Sequence, residues 1–540
     1  MPDPADPRTL VIGYNGAASN FTRSPLHIRP RGGVPRWLYS SLLRFNEDLE
    51  LEGDLVERWE AADDGLSYTF HLLPGVTWHD GAPLTAADVV FTAELLQQPH
   101  RYFRNTLIVG GEPVRFTALD DLTVRVDLAE PRSTLLASLT PVWGSLFLIL
   151  PEHLLRDGDE EAFEAHPIGT GPFRFGGYDG DGNLVLEANA SYFQGAPLVD
   201  RVVIRFFERH QDRLAAFAAG ELDVMLVPGR DFTDADARRG GGRLRQTTTN
   251  TIVQFAMNCR HPLFASVRVR QAIASAVDRA AMVRAIDGDD AVPAFGPVGP
   301  ESWAFEPSVV DRHPFDPDRA RRLLADEGWA PGPDGILRKE GRAFRFAVIF
   351  PPDPFNYALQ EYAEGIRDAL AAIGIAMEVR PVEYWSGMKP AWRQHEFEAF
   401  IYYDTFYVEP DLFWSWHSSM PKRPMGDDPP AGLPQFGYGV TGYANPDVDR
   451  LLEAYRATSD RAAQRHLVQR AQAIMADEVA SLWLYNYRWK NVVHDRVRGT
   501  SEPTLADGTS DLVVLLRPER IYKVDPADAS PSTKEPAHAT

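Results

Sequence analysis

The chain has 540 residues, 44% hydrophobic and 24% charged, an ordinary balance for a globular protein and length enough for about three or four domain-sized units. Its formal net charge of −21 disfavours nucleic acid and anionic membrane surfaces as partners, because their phosphates would be repelled. The single cysteine, Cys259, excludes an intramolecular disulfide and a cysteine-rich metal site, and in the apolar run FAMNC it reads as a small core residue.

The opening MPDPADPRTLVIGYNG has no basic segment followed by an apolar one. That leaves two expectations, a cytoplasmic protein or a chain whose leader has been trimmed. TLVIGY (9–14) reads as a strand, and LSYTFHLLPGVTW (66–78) as a hairpin turning at Pro74-Gly75. TWHDG (77–81) follows. A histidine beside an aspartate could belong to a dyad or a metal site, but neighbouring strand residues point to opposite faces, so adjacency argues against convergence. A turn at Asp80-Gly81 with His79 hydrogen-bonded locally is the favoured reading. Thr85 then caps a helix through ADVVFTAELLQQ (87–98), with Asp88 at its third position. The most apolar short run, LFLIL (146–150), falls far below the roughly 20 residues needed to span a bilayer.

GTGPFRFGG (169–177) lacks the third glycine of a dinucleotide-binding loop and reads as a turn. DGDGN (179–183) lacks the glycine and glutamate of a calcium loop and reads as a hairpin turn between FRFGGY and LVLEAN. HQDRLAAFAAGELDVMLV (210–227), FDPDRARRLLADEGW (315–329) and YALQEYAEGIRDALAAIGIAMEVRPV (357–382) share one grammar. In each a helix ends at a glycine, Gly220, Gly328 or Gly374, and in the first and third a strand follows. In FASVRVRQAIASAVDRAAMV, Val269, Ile273, Val277 and Ala280 are spaced to share one helical face. Helix-then-strand units build sheets covered by helices, an α/β architecture that binds small molecules at its edges and clefts. The tail, VDPADASPSTKEPAHAT, is polar and expected to be disordered from 523 to 540. No G-x-S-x-G elbow, H-E-x-x-H, phosphate-binding loop or kinase set occurs, so neither catalysis nor a cofactor is expected.

The stretch Tyr-x-Phe-x-Leu-x-x-Gly-Val-x-Trp-His-Asp-Gly-x-Pro-x-Thr-Ala-x-Asp-Val-Val-Phe (68–91) resembles the signature of the peptide/nickel/opine class of solute-binding proteins serving ABC importers. The likeness continues upstream in YSSLLRFNEDLELEGDLVERWEAADDGLSYTF and downstream in PIGTGPFRF, NASYFQGAPLVDRVVIRFF and AAFAAGELDVM. FAMNCRHPLFASVRVRQAIASAVDR and GYANPDVDRLLEAYRATSDRAAQRHLVQRAQAIMADEVASLWLYNY extend it, so that it covers about residues 9–520.

The resemblance implies an α/β, periplasmic-binding-protein-like, two-lobed flytrap with an extra third subdomain. Lobe I would comprise 9–48, 165–252 and 484–522, the extra subdomain 49–164, and lobe II 255–482. Crossings near Thr251–Asn258 and Leu482–Tyr487 would form the hinge, and TWHDG would lie in scaffold far from the ligand. The expected protein is a monomeric receptor, not an enzyme, lying outside the cytoplasmic membrane. It would hold an oligopeptide or peptide-like solute between its lobes and deliver it to a membrane permease. An oligosaccharide receptor is the alternative, followed by a nickel or opine receptor and, from a different class, a hydrolase.

The same resemblance singles out FIYYDTFYVEPDLFWSWHSS (400–419). Asp404 matches an aspartate that pairs a peptide ammonium, and Glu409-Pro410 a later acidic-Pro pair at a spacing two residues longer than usual. Trp385 matches a pocket tryptophan, with Tyr384 possible by a one-residue offset. Tyr402, Tyr403, Phe406, Tyr407, Phe413, Trp414 and Trp416 make the segment densely aromatic, suiting apolar side chains or sugar rings. Trp143 and Trp303 are further wall candidates. No metal ligand is assigned.

Overall fold

In the computed structural model the described residues are 6–16, 34–98, 101, 104–141, 147–227, 232–310, 312–352, 358–405, 408–420, 439–501 and 513–524. Trp143, Phe406, Tyr407 and the tail beyond 524 lie outside them. Among the described residues an 11-stranded sheet forms the spine. Its order runs 173–178, 184–188, 201–207, 9–15, 224–227, 482–494, 242–257, 399–405, 345–350 and 376–381, with 291–293 added beside 482–494. Thr9–Asn15 lies parallel to both Arg201–Phe207 and Val224–Val227. Helices cover such strands on both faces, so Leu10, Val11 and Ile12 are all fully buried and the run reads as continuously apolar.

Two long strands, Gly242–Met257 and Leu482–His494, run antiparallel through the middle of the sheet. The expected crossing segments lie side by side, with Ile252 opposite Asn486 and Phe255 opposite Leu482. Pairing is interrupted between Thr248 and Ile252 and shifts again between Val253 and Gln254. Side chains stitch the first break. The Thr249 hydroxyl donates to the Tyr487 carbonyl at 2.8 Å, and Asn486 Nδ2 donates to the Thr249 carbonyl at 3.1 Å. Such bulges bend a strand and raise its local twist.

Buried apolar side chains gather in separate clusters on either side of these strands. One contains Leu10, Trp37, Phe173, Ile204 and Val493. A second, built within 42–149, contains Phe70, Trp78, Val89, Val124 and Phe147. A third contains Phe255, Ile273, Phe346, Ile366 and Leu484. The segment carrying the second cluster touches the helix Pro446–Ala457. The Ser133 N–H donates to the Arg456 carbonyl at 2.8 Å and its hydroxyl to the Tyr455 carbonyl at 3.0 Å.

The helix-glycine-strand units fold as expected. The helix His210–Ala218 closes with Gly220 at φ 74°, its N–H bonded to Phe217 O and that of Glu221 to Ala216 O. A left-handed residue is required there. Pro317–Asp326 and Leu359–Ala371 end in the same way, at Gly328 and Gly374. DGDGN is the turn between Phe173–Tyr178 and Leu184–Ala188.

Four expectations are corrected. Ser67–Leu72 is not half of a hairpin with 76–78, because both of its edges are taken by Val56–Ala61 and Thr123–Asp127. The periodic run from Val269 to Ala280 is two helices, since Val277 is extended and Asp278 starts a new N-terminus by accepting from Ala281 N. Lys523, assigned to the tail, is instead ordered, in a short strand and paired with the fully buried carboxylate of Asp223 at 3.2 Å, while 525–540 lie outside the described residues.

The fourth correction concerns His79, which is not bonded locally. Its Nδ1 accepts from Gly169 N at 3.1 Å and its Nε2 donates to Gly171 O at 3.0 Å, while its own N–H donates to Gly169 O at 2.8 Å. TWHDG thus clamps the GTGPF loop. A Cβ on Gly169 would overlap the Leu38 carbonyl. Burial pushes the His79 imidazole down to about 4, so it is neutral with its proton on Nε2. Asp80 accepts from Ala82 N at 3.0 Å and pairs with His153 at 2.9 Å.

Candidate functional site

Ala399–Thr405 lies in the sheet between Gly242–Met257 and Arg345–Phe350. Strand alternation sends Val253, Phe255 and Ile401 into the large apolar core. The opposite face carries Phe400, Tyr402 and Asp404, facing Ala256, Gln254 and Ile252 across the ladder. The short helix Phe413–Trp416 closes over this face, and the Ser415 hydroxyl donates to Asp404 Oδ2 at 3.2 Å. Asp404 is only 4% exposed. Together with Gln254, Trp392, Tyr402, Ser415 and Trp416 it lines a cavity of about 30 Å³.

Aromatic rings make the cavity's surroundings. Tyr384 stacks on Tyr402 at 5.7 Å, Tyr402 on Tyr403 at 4.3 Å, and Trp392 meets the Tyr402 edge at 5.1 Å. Tyr384–Met388 is a single π-helical turn, capped by Glu383, which accepts from Ser386 N at 2.6 Å. This turn sends the Tyr384 ring inward and leaves Trp385 53% exposed, with Lys389 Nζ 4.4 Å from its ring centre. Trp416 meets Trp483 at 5.6 Å.

The structure therefore brings Asp404, Tyr402 and Tyr403 to the cavity wall, with Tyr384 directly behind them. Trp414 and Trp303 do not line it. Arg456 lies 4.6 Å from the Trp414 ring centre and 3.8 Å from that of Phe413. Trp303 donates its indole N–H to Val408 O at 3.1 Å, and Arg461 covers its face at 3.4 Å. The acidic-Pro pair is engaged in the same way. Glu409 is held by Arg461 at 2.6 Å, and Asp411 is gripped by Arg456 at 2.6 and 3.0 Å. These carboxylates brace the loop against the helices 446–457 and 461–477. Arg132, buried nearby and repelled by Arg456, has its guanidinium pushed down to about 10, burial being the larger cause.

Sequence reasoning missed Gln254, Ser415 and Trp392. One signal was available for Gln254, a lone amide inside the apolar strand run TIVQFAM (251–257).

Residues 50–422 match the family described as bacterial extracellular solute-binding proteins, family 5 Middle, which is more than half of the chain. The chain belongs to this family of solute-binding proteins. Its members serve ABC transporters of the peptide and nickel class and are not enzymes. Oligopeptide-binding protein AppA of Bacillus subtilis is 27% identical over 498 residues, covering 88% of this chain and 86% of AppA. The solved structure of AppA, in complex with a nonapeptide, superposes with a TM-score of 0.71 at 24% identity, over 96% of this chain and 99% of AppA. Heme-binding protein A of Haemophilus influenzae is 29% identical over 465 residues, 82% of this chain and 80% of that protein. NikZ from Campylobacter jejuni, in complex with Ni(L-His), superposes with a TM-score of 0.74 at 21% identity, covering 96% of this chain and all of NikZ. These likenesses make the fold a family 5 binding-protein fold. No described helix is long and apolar enough to cross a membrane.

Proposed function

We propose that this protein captures a short peptide or peptide-like solute bearing a free amino terminus and hands it to an ABC permease outside the cytoplasmic membrane. The lobes would be 9–48 with 165–252 and 484–522 on one side, and 255–482 on the other, with 49–164 as the extra subdomain. The interrupted pairing at Thr248–Ile252 is where the two long strands would flex, and solute touching both lobes would favour the closed form.

The single observation that carries this reading is Asp404, a buried carboxylate among aromatic rings on the wall of a partly open cavity. A ligand ammonium would add an opposite charge and several N–H donors to a carboxylate that already accepts from the Ser415 hydroxyl at 3.2 Å. The neighbouring tyrosines stack on one another, which favours a cage around a small polar head over open platforms for sugar rings. For a metal, no group of three His, Cys, Asp or Glu suited to one occurs among the described residues.

The test is calorimetry of Asp404→Asn with an unblocked peptide recovered from the purified protein. Losing a charge-assisted bond in a buried site should weaken that peptide by roughly 30-fold or more, while an uncharged oligosaccharide would be indifferent. Unchanged peptide affinity would refute the assignment of Asp404.

A further inference from the structure

The loop 131–137 of the extra subdomain meets the far half of the chain at two points, both away from the cavity lining beside Asp404. At the first, the Ser133 N–H donates to the Arg456 carbonyl and its hydroxyl to the Tyr455 carbonyl, 322 residues away in the chain. Those carbonyls belong to the last turn of the helix Pro446–Ala457, where the helix itself has no N–H left to offer. One body thus caps the helix end of another. At the second point Val408, 2% exposed, inserts among Phe45, Ala137, Leu49 and Leu51. Phe45 and Leu51 lie opposite one another in a two-stranded ribbon, which gives the socket a firm floor.

Each side of the contact is braced within its own body. The Val408 carbonyl accepts from the Trp303 indole N–H at 3.1 Å, and the next two carboxylates, Glu409 and Asp411, are held by Arg461 and Arg456. On the other side the buried Arg132 guanidinium donates to Thr134 Oγ1 and to the carbonyls of Thr106 and Ile108, fixing the loop that carries Ser133. The extra subdomain is in turn fastened to 169–171 by both ring nitrogens of His79. We infer that the extra subdomain is a clasp that holds the two lobes shut from outside the solute cavity, by seating Val408 and capping the helix 446–457, a role that rests on the lobe division proposed above.

The TWHDG clamp makes the extra subdomain travel with 165–252, whereas the Val408 plug and the helix end travel with 255–482. Any turn of one lobe against the other therefore breaks the Ser133 bonds and draws Val408 from its socket. Letting go harms neither body, because water can serve the freed helix carbonyls. The clasp contributes the same stabilisation to the closed form whatever solute lies inside. It therefore sets how much of the protein is closed, and so scales the affinity for every solute by one common factor. Selectivity is left to the residues that touch the solute.

The experiment compares full-length wild type, Val408→Asp and Ser133→Ala. Small-angle scattering of the solute-free proteins reads lobe separation, scanning calorimetry reads the fold, and native mass spectrometry with a pool of short unblocked peptides reads retention. A carboxylate at 408 rejects the apolar socket. Val408→Asp should therefore enlarge the radius of gyration, keep a cooperative unfolding transition and weaken every retained peptide by a common factor of about tenfold or more. Ser133→Ala keeps the backbone N–H and loses one bond, so its common factor should be about two- to fivefold. Unchanged scattering of Val408→Asp overturns the clasp, and leaves the peptide reading intact where wild type retains peptides. Unchanged scattering with a lowered unfolding temperature also overturns it, making the contact a fixed joint. A loss that reorders the peptides instead of scaling them overturns it too, since residue 408 would then touch solute. Wild type that retains no peptide removes the peptide reading, while expansion of Val408→Asp would still support the clasp.

Discussion

His79 and Gln254 are buried to the same degree, each 7% exposed, and both are polar side chains among aromatic and aliphatic neighbours. Their hydrogen bonds differ completely. Both ring nitrogens of His79 are engaged by the backbone of the 169–171 loop, one accepting and one donating. Gln254 offers its oxygen to a cavity, with no partner among the described residues. Burial alone therefore does not separate these two residues, and their hydrogen-bond partners do. The pair His79 and Asp80, which invites a catalytic reading, has its side-chain partners supplied by the surrounding fold. The inconspicuous glutamine in an apolar strand does not.

That contrast is most vulnerable at Gly169. If the TWHDG clamp is purely structural, closing the space around its partner loop must cost the whole fold. Gly169→Ala drives a Cβ into the Leu38 carbonyl, which is backbone and cannot rotate away. The expected loss exceeds about 4 kcal/mol, the range of severe core strain. Chemical denaturation reads it, and near-normal stability would dissolve the idea of a rigid clamp.

His79→Leu comes next. It removes the acceptor of the Gly169 N–H and should cost about 1–3 kcal/mol, the desolvation penalty of an unpaired buried donor. Gly171 O keeps a second donor, Asn189 Nδ2 at 3.1 Å, which limits the damage. The wild type adds a pH signature. His79 has a folded pKa of about 4 against an ordinary 6.5, so its contribution is complete above pH 6.5. It is lost as pH falls from 6.5 toward 4, because the unfolded chain takes up a proton that the native ring refuses. The total is up to about 3 kcal/mol. His494, pushed to about 4 by burial and by Arg496, acts with the same sign in the same window. The stability–pH slope of His79→Leu should therefore be shallower than that of the wild type but not flat. An unchanged slope would mean that His79 titrates normally.

Much of this was legible in the sequence, for reasons that separate local from non-local physics. Helix ends written as Gly220, Gly328 and Gly374, the Thr85–Asp88 cap and the DGDGN turn are decided within a few residues, and the structure repeats them. The partners of Ser67–Leu72 and of His79 are 90 or so residues away in the latter case, and no local pattern names them. The break at Val277 was hidden because Asp278 serves as an N-cap in the middle of a run whose apolar spacing continues unbroken. At the site, Asp404 and its aromatic neighbours stood out by composition and resemblance. That Trp303 and Trp414 face Arg461 and Arg456 rather than the cavity depends on two helices more than 40 residues downstream. Gln254 went unnoticed because a single polar residue in a strand carries no periodic signal until its neighbours across the ladders are known.

The smallest stability effect should fall on Trp385, and it sharpens the comparison from the other side. It is 53% exposed, an unusual position for so large an apolar side chain, with Lys389 Nζ 4.4 Å from its ring centre. Tyr384, not Trp385, packs inward against Tyr402 and Trp392. Trp385→Ala should shift ligand-free stability by no more than about 0.5 kcal/mol, the usual range for an exposed site. If the ring serves as a wall for the solute beyond the ammonium cavity, the same variant should still lose peptide affinity by several-fold, since covering an exposed indole is worth about 1–2 kcal/mol. Denaturation and calorimetry on one preparation separate the two effects. A stability loss with unchanged affinity would put Trp385 with His79 as part of the scaffold. The opposite result would make Trp385 a wall of the solute site.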